Sequence, residues 1–196
     1  MKRIVLALQI SLLLILHGCS SPGPQKERVD TKVQAPATSD LSALDANLYN
    51  KALATLDADK MKSAAKQLAR LQNKNPGHTG IKINLATALY LAGDLDAAAE
   101  TVKQALSLNA NIAALQNIHG LIAFEKKEFK NAETAYLHAI KLDKNLANAH
   151  YNLALLYDQY YQDIPKAYRY YQSYIKLNPS DQATTEWVEQ LKYSLD

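Results

Sequence analysis

A pattern that recurs every 34 or 35 residues constrains the fold of this 196-residue chain more than any other feature of its sequence. Small residues mark its phase at steps of 34, 34 and 35 positions: Ala64, Ala98, Ala132 and Ala167. A period in the mid-thirties with small residues at a fixed phase indicates helical hairpins that stack into a solenoid. Because solenoids present an extended surface and rarely a catalytic pocket, the pattern favours a binding function.

The repeat region divides into four units and a terminal helix. Apolar residues at spacings of three and four predict a helix A, a short turn and a helix B in each unit. We place the repeats at 45–78, 79–112, 113–146 and 147–181. A capping helix over about 182–194 would cover the open end, with Trp187, Leu191 and Leu195 on its buried stripe.

The turns between helices A and B differ among the repeats. In the second repeat Gly93 and Asp94 form the turn, where glycine tolerates a positive φ, whereas Asp59 replaces the glycine in the first repeat. The fourth repeat has one additional residue near 160–164, followed by Pro165. Because proline is tolerated in the first turn of a helix, we predict a longer turn and not a break.

Residues at fixed positions of each unit resemble the tetratricopeptide repeat (TPR) across about four-fifths of the chain. Leu85 and Ala86 stand at its Leu-Gly positions, and Gly120 takes the close-contact position of the third repeat. The tryptophan of the motif is absent throughout and is replaced by Leu48, Lys82, Gln116 and His150. The resemblance implies an all-α, right-handed helical solenoid of about four helix-turn-helix repeats.

The first 18 residues have the features of an export signal. Lys2 and Arg3 precede an apolar run over residues 4–16, which is too short for a good membrane span but suits a signal peptide. The following residues, from Leu16 to the chain's single cysteine, Cys19, resemble the bacterial lipobox, although His17 stands where a small residue is usual. This resemblance implies lipidation of Cys19. The alternative is an ordinary signal peptide with an incidental cysteine.

Residues 19–40 differ in composition from the repeat region. They are rich in Ser, Pro, Gln, Lys, Asp and Thr, and Pro22, Pro24 and Pro36 block regular structure. We therefore predict a disordered tether between a lipid on Cys19 and a TPR domain at 41–196. Ser20 after the cysteine implies the outer membrane, facing the periplasm, by resemblance to lipoproteins of this type.

In TPR proteins the A helices line a concave surface that usually holds a peptide or partner segment. Carrying that phase onto this chain gives a candidate partner-binding groove. Its residues are Tyr49, Asn50, Leu53, Ile83, Asn84, Thr87, Tyr90, Asn117, Leu121, Phe124, Tyr151, Asn152, Leu155 and Asp158. A ladder of asparagines offers donors and acceptors for an extended backbone. The alternative is that these asparagines cap or bridge neighbouring helices.

A second candidate surface is rich in tyrosine. Eight of the twelve tyrosines lie between residues 151 and 174, and four of them do not all fit core positions of the repeat: Tyr160, Tyr161, Tyr168 and Tyr170. Tyrosine is favoured at interfaces because it combines apolar area with a polar tip. These residues are either a docking or self-association patch, which allows a homo-oligomer, or ordinary half-buried aromatics.

Charge and motifs argue against several functional classes. The formal charge is +3, and without Lys2 and Arg3 the chain has 20 basic and 19 acidic residues, which gives no reason to expect a nucleic-acid partner. We find no H-E-x-x-H, no G-x-S-x-G and no phosphate-binding loop. We therefore predict no enzyme activity, no metal and no cofactor other than the lipid on Cys19.

Together these features predict a lipid-anchored scaffold that binds another envelope protein. TPR lipoproteins of this layout include the pilotin-type factors of pilus and secretion systems, so the resemblance implies a role in assembling such a machine. An adaptor for peptidoglycan-processing enzymes or proteases is the alternative. No arginine lies in any A helix, so the groove lacks the basic clamp of TPR proteins that bind a chaperone's C-terminal carboxylate.

Overall fold

The computed structural model describes Lys26, Arg28 and residues 41–195, and the last of these ranges folds into helices with no strand. The helices are α1 (Ala43–Asp57), α2 (Met61–Lys74), α3 (Thr79–Leu91), α4 (Leu95–Leu108), α5 (Ala113–Glu125), α6 (Phe129–Leu142), α7 (Ala147–Leu156), α8 (Ile164–Leu177) and α9 (Gln182–Lys192). Helices α1 to α8 pack as four hairpins, each against the next, and α9 packs on α8. The predicted all-α TPR solenoid is confirmed.

The small residues of the repeat lie where the two helices of a hairpin approach each other. All four alanines that mark the period are fully buried, as are Ala52, Ala86 and Ala154 at the matching position of the A helices. Gly120 has this position in α5, and a Cβ atom added there would lie 2.4 Å from Cε1 of Tyr136. The absence of a side chain at Gly120 therefore makes room for the buried Tyr136 ring.

Each turn between an A and a B helix contains one residue with a left-handed backbone. These residues repeat at the period of the sequence: Asp59 (φ 57°), Gly93 (φ 82°), Lys127 (φ 63°) and Gln162 (φ 53°). The first three turns close with the same hydrogen bond, for example from Asp94 N to Leu89 O at 2.9 Å. The turn geometry is thus set by the solenoid, and only the second repeat has the glycine that favours it.

The additional residue of the fourth repeat is absorbed by a wider helical turn. Helix α7 continues into a π-helical turn over Tyr157–Tyr161. Asp163 N then donates to Tyr157 O at 2.9 Å, across six residues where the other turns span five. Pro165 lies in the first turn of α8, as predicted.

The capping helix differs from its prediction in length and in its buried stripe. It ends at Lys192, and its buried residues are Thr184, Val188 and Leu191. Trp187 is only half-buried and donates from Nε1 to Asp158 Oδ2 at 3.1 Å, while Leu195 is exposed. Trp187 thus packs against the core of the later repeats without being fully buried, whereas the predicted stripe was wrong for Leu195, which lies beyond the end of the helix.

Three predictions concern the N-terminal part of the chain. The signal peptide at 1–18, the lipidated Cys19 and the tether at 19–40, apart from Lys26 and Arg28, lie outside the described residues. Among the helices that are described, none combines the length and apolar character needed to cross a bilayer.

Candidate functional site

The predicted groove residues of the A helices are mostly covered and do not form an open ladder. Ten of the thirteen that line α1, α3, α5 and α7, leaving aside Asp158, are buried: Tyr49, Ile83, Asn84, Thr87, Tyr90, Asn117, Leu121, Tyr151, Asn152 and Leu155. Leu53, Phe124 and Asp158 are half-buried, and Asn50 is exposed. The reason is lateral packing, because neighbouring A helices contact each other directly.

Residues 35 positions apart bridge neighbouring A helices. Asn84 Nδ2 in α3 donates to Tyr49 Oη in α1 at 2.5 Å and to Gly80 O at 3.2 Å. Burial raises the pKa of Tyr49 to about 12, against the opposing effect of the hydrogen bond from Asn84. Asn84 Oδ1 is buried and has no hydrogen-bond partner among the described residues. In this half of the solenoid the asparagine bridges helices, which is one of the two alternatives that the sequence left open.

In repeats three and four, the residues that replace the motif's tryptophan fasten the preceding loop. Gln116 Nε2 in α5 donates to Ala110 O at 2.9 Å, and His150 Nε2 in α7 lies 2.9 Å from Lys144 O. Both contacts span six residues, and the two are offset by 34 residues, the period of the repeat. In these two repeats the side chain therefore fixes the preceding loop and, through it, the start of the A helix.

Asn152 in α7 has a different environment from Asn84. Its Nδ2 donates to Asn117 Oδ1 in α5 at 3.1 Å, so it also bridges helices. The same amide contacts Arg28, which lies 124 residues earlier in the chain. Arg28 N donates to Asn152 Oδ1 at 2.7 Å, and Asn152 Nδ2 donates to Arg28 O at 2.9 Å. The side chain thus binds both backbone polar groups of one residue.

The Arg28 side chain lies in a pocket built by α7, α8 and α9. Its Nη2 is 2.6 Å from Asp181 Oδ2, and its Nη1 donates to Tyr174 Oη at 2.7 Å. The guanidinium also lies over the ring of Tyr151, 4.2 Å from the centroid, and 5.1 Å from that of Tyr174. Nη2 further donates to Thr184 Oγ1 at 3.3 Å. A carboxylate, two aromatic faces and a hydroxyl are groups that suit a planar cation.

The carboxylate of Asp181 is the acidic group of this pocket, and its surroundings favour the ionised form. Burial would raise the pKa of Asp181, but hydrogen bonds from Thr184 and Tyr174 and the charge of Arg28 outweigh it and lower the pKa below its ordinary value. Asp181 is also the N-cap of α9, because it accepts from Thr184 N at 3.2 Å. The carboxylate is therefore in place through the helix that it caps, whether or not Arg28 is bound.

The four tyrosines of the second candidate surface separate into two pairs. Tyr160 and Tyr161, in the π-helical turn, are exposed. Tyr160 stacks on Phe129 with ring centroids 3.5 Å apart, and Tyr161 donates to Glu133 Oε2 at 3.2 Å. Tyr168 and Tyr170 in α8 are half-buried. Together, Tyr160, Phe129 and Phe124 edge a shallow depression of about 280 Å³, so this surface is aromatic but is not a deep site.

Groups suited to metal binding do not converge in the part of the chain that the structure describes. No three His, Cys, Asp or Glu side chains within Lys26, Arg28 and 41–195 are placed to share an ion. A depression of about 370 Å³ between repeats two and three is lined mainly by apolar residues and His119, whose pKa is lowered by burial.

Sequence reasoning found Asn152 and Tyr151 but missed the residues that complete their site. Arg28 lies in a segment predicted to be a tether, and Asp181 and Thr184 lie at the start of the capping helix. One signal was available, since Arg28 is the only arginine between residues 4 and 69. A lone arginine in a polar segment does not by itself indicate where that residue binds.

Two family models match the repeat region of the chain. A model described as "Tetratricopeptide repeat" matches residues 55–122, and one described as "TPR repeat" matches residues 120–159. Among curated proteins, Superkiller complex protein 3 of Homo sapiens is 28% identical over 101 residues, which are 52% of this chain and 6% of that protein. Protein O-mannosyl-transferase TMTC3 of Mus musculus is 31% identical over 83 residues, 42% of this chain and 9% of that protein. The chain therefore matches a small part of each relative.

Solved structures share the fold over most of the described helices. The Pseudomonas aeruginosa pilF structure has a TM-score of 0.68 and 20% identity, with 76% of this chain and 68% of that chain covered. TTC0263, a thermophilic TPR protein of Thermus thermophilus, has a TM-score of 0.67 and 20% identity, covering 80% and 85%. At this identity the likeness concerns the fold alone.

Proposed function

The chain belongs to the tetratricopeptide repeat proteins, and we propose that it is a lipid-anchored, non-enzymatic scaffold that binds an extended segment of another envelope protein. The contact of Asn152 with Arg28 carries this proposal. The N–H and C=O of one residue point in the same direction when its backbone is extended, as in a sheet ladder. Asn152 pairs with both groups of Arg28 and with no part of its side chain. The solenoid therefore offers a site for an extended backbone of any sequence.

The features of the N-terminal sequence support an envelope location. The short apolar run and the lipobox-like residues before Cys19 favour export and lipidation, and Ser20 favours the outer membrane. A lipid on Cys19 would hold the TPR domain near the bilayer while leaving its concave face to a partner. Substituting Cys19→Ala should move the protein from the membrane to the soluble fraction. Retention in the membrane would show that the anchor lies elsewhere.

Within the envelope we propose a role in assembling a pilus or secretion machine, as pilotin-type lipoproteins do. The proposal rests on the layout of a lipidated cysteine, a polar tether and a TPR domain. Its test is the level of secretin multimers in a strain from which the protein is deleted. We expect fewer multimers, with recovery by the wild-type chain and by Asn131→Ala, which changes an exposed asparagine of α6.

The Asn152→Ala chain should restore multimers poorly although it reaches the membrane. Asn84→Ala is a less suitable variant, because the contacts of Asn84 are all within the helices and its loss would remove no contact with Arg28. Unchanged multimers in the deletion strain would reject the assembly role. Co-purification of a peptidoglycan hydrolase or a protease, with altered turnover of that enzyme, would instead assign the protein to the adaptor class.

A further inference from the structure

The pocket around Arg28 contacts both the backbone and the guanidinium of this residue. Its recognition of the backbone, through Asn152, is independent of sequence, whereas its recognition of the guanidinium is specific. The planar group lies over the ring of Tyr151 and beside that of Tyr174, and its Nη2 is 2.6 Å from Asp181 Oδ2. A lysine ammonium is a compact point charge, so it would not offer the same planar face and paired donors.

The pocket is assembled by contacts that do not involve Arg28. Tyr174 Oη donates to Asp181 Oδ2 at 2.9 Å and accepts from Asn178 Nδ2 at 2.6 Å. The rings of Tyr151 and Tyr174 meet edge to face with centroids 5.1 Å apart. Thr184 Oγ1 donates to Asp181 Oδ2 at 2.7 Å. A site that is built before its ligand arrives loses little conformational entropy on binding.

Arg28 is held by this pocket but is not sealed within it. About 35% of its side chain is exposed, compared with 12% for Asp181. An arginine that remains accessible can be exchanged for another arginine that presents the same groups. The structure therefore contains a pocket and an intramolecular occupant whose side chain remains partly accessible.

We propose that the pocket between α7, α8 and α9 is a recognition site for an extended peptide segment containing arginine, and that Arg28 occupies it in cis. A partner segment would bind by placing its own arginine in the pocket and its backbone on Asn152. This inference rests on the proposed function, because it specifies the chemistry of the segment that the scaffold would bind. It also predicts that the tether and the partner compete.

The strength of this competition can be estimated from the connection between Arg28 and the domain. Twelve residues, 29–40, separate Arg28 from the first described residue of the domain, Leu41. A ligand joined to its site through a connection of this length acts at an effective concentration of about 1 mM. For a peptide with an intrinsic Kd of about 0.1 mM, removal of the occupant should increase the apparent affinity roughly tenfold.

The test is fluorescence anisotropy with a labelled nonapeptide that has the sequence of residues 24–32, titrated with the full chain in mild detergent. The Arg28→Ala chain should bind the peptide about tenfold more tightly than the wild-type chain does. Replacing the arginine of the peptide by lysine should weaken binding to Arg28→Ala at least tenfold, because the planar group is lost.

Variants of the pocket complete the test. Asp181→Asn in the Arg28→Ala chain keeps an N-cap residue for α9 but removes the charge, so peptide affinity should fall at least tenfold while the melting temperature changes little. Asp163→Asn is the matched control. Asp163 caps α8 and pairs with Lys166 at 2.9 Å, but it has no contact with Arg28. The control should bind the peptide as the Arg28→Ala chain does.

Three results would overturn the inference. Absence of peptide binding to Arg28→Ala would show that the pocket is not a recognition site. Equal affinity for the arginine and lysine peptides would show that the guanidinium is not read. Equal affinity of the wild-type and Arg28→Ala chains would show that Arg28 does not compete. Because the assay contains no envelope partner, its failure is distinct from an unchanged secretin level, which would reject only the assembly role.

Discussion

Asn84 and Asn152 have the same position in the A helices of repeats two and four, but they differ in what they bind. Asn84 donates to Tyr49 of the preceding repeat and leaves its carbonyl oxygen without a hydrogen bond among the described residues. Asn152 donates to Asn117 of the preceding repeat and also pairs with both backbone groups of Arg28. One amide connects two helices, and the other additionally holds a separate segment of the chain.

The use of the two amide hydrogens accounts for this difference. Asn84 Nδ2 donates to Tyr49 Oη and to Gly80 O of its own helix, so both of its donors are used within the solenoid. Asn152 Nδ2 donates to Asn117 Oδ1, and its other donor pairs with the backbone of Arg28. The pairing with Arg28 thus depends on the groups around each asparagine and not on the asparagine alone.

The largest effect should come from disturbing the hairpin that supports Asn117. Gly120→Ala places a Cβ atom 2.4 Å from the buried Tyr136 ring, so we expect the free energy of unfolding to fall by about 3 kcal/mol. Gly77→Ala is the control, since nothing lies within 4 Å of its added Cβ. Denaturant unfolding of both variants measures this difference. Equal stability of the two would contradict the close packing inferred at Gly120.

The buried hydroxyl of Tyr49, which accepts from Asn84, should make the stability of the folded protein sensitive to alkaline pH. Its pKa rises from an ordinary value of 10.0 to about 12, so the folded state retains this proton over a range where the unfolded state loses it. The stability that depends on Tyr49 is complete below pH 10 and is lost as the pH rises toward 12, by about 2.5 kcal/mol in total.

Tyr49→Phe removes this titration. Comparing it with the wild-type chain therefore separates the contribution of Tyr49 to the pH dependence of stability from that of the other tyrosines. Unfolding at about pH 9 and about pH 11, on either side of the ordinary tyrosine pKa, should show a smaller decrease in stability for Tyr49→Phe than for the wild-type chain. Parallel decreases in both proteins would show that Tyr49 titrates as in the unfolded chain and would contradict its burial.

Removing each asparagine in turn should separate their two roles. Asn84→Ala leaves the buried hydroxyl of Tyr49 without its donor, and we expect a loss of about 1.5 kcal/mol in unfolding free energy. Asn152→Ala removes the donor to the buried Asn117 Oδ1, so we expect a loss of similar size, and it should in addition release Arg28. Thermal unfolding measures the loss of stability in both variants, and protease sensitivity near Arg28 measures the release. Equal protease sensitivity in the two variants would contradict the separate role assigned to Asn152.

The smallest effect should come from the turns, which lie outside the comparison of the two asparagines. Lys127 has φ 63°, a conformation that costs a residue with a side chain about 1 kcal/mol relative to glycine. Lys127→Gly should therefore stabilise the protein slightly, and Gly93→Ala, at φ 82°, should destabilise it by a similar amount. Unchanged melting temperatures in both variants would indicate that the turns relax.

The sequence was a good guide where one residue type is required by packing within a hairpin. The alanines at positions 64, 98, 132 and 167 are all fully buried, and their spacing alone predicted the solenoid. It was a poorer guide to the turns, because only Gly93 has a residue type that favours a left-handed backbone. Asp59, Lys127 and Gln162 adopt it because the hydrogen bonds around them require it.

The candidate site could be predicted only in part for a related reason. The repeat phase located Asn152 and Tyr151, but the burial of the A-helix residues depends on contacts between repeats. The pairing of Asn84 with Tyr49 and of Asn152 with Asn117 spans 35 residues, one more than the period, and is not visible within a single motif. Arg28 lies 124 residues from Asn152, and no local pattern connects them.

The side-chain amide signals of the asparagines in a ¹⁵N NMR spectrum test the central comparison most directly. Spectra of the wild-type and Arg28→Ala chains are compared, with each signal assigned by its own Asn→Ala variant. We predict that Arg28→Ala shifts the Nδ2 signals of Asn152, which lose the carbonyl of Arg28, and leaves those of Asn84 in place. Unchanged Asn152 signals, or equal shifts at both residues, would contradict the assignment of the peptide-binding role to the Asn152 side of the solenoid.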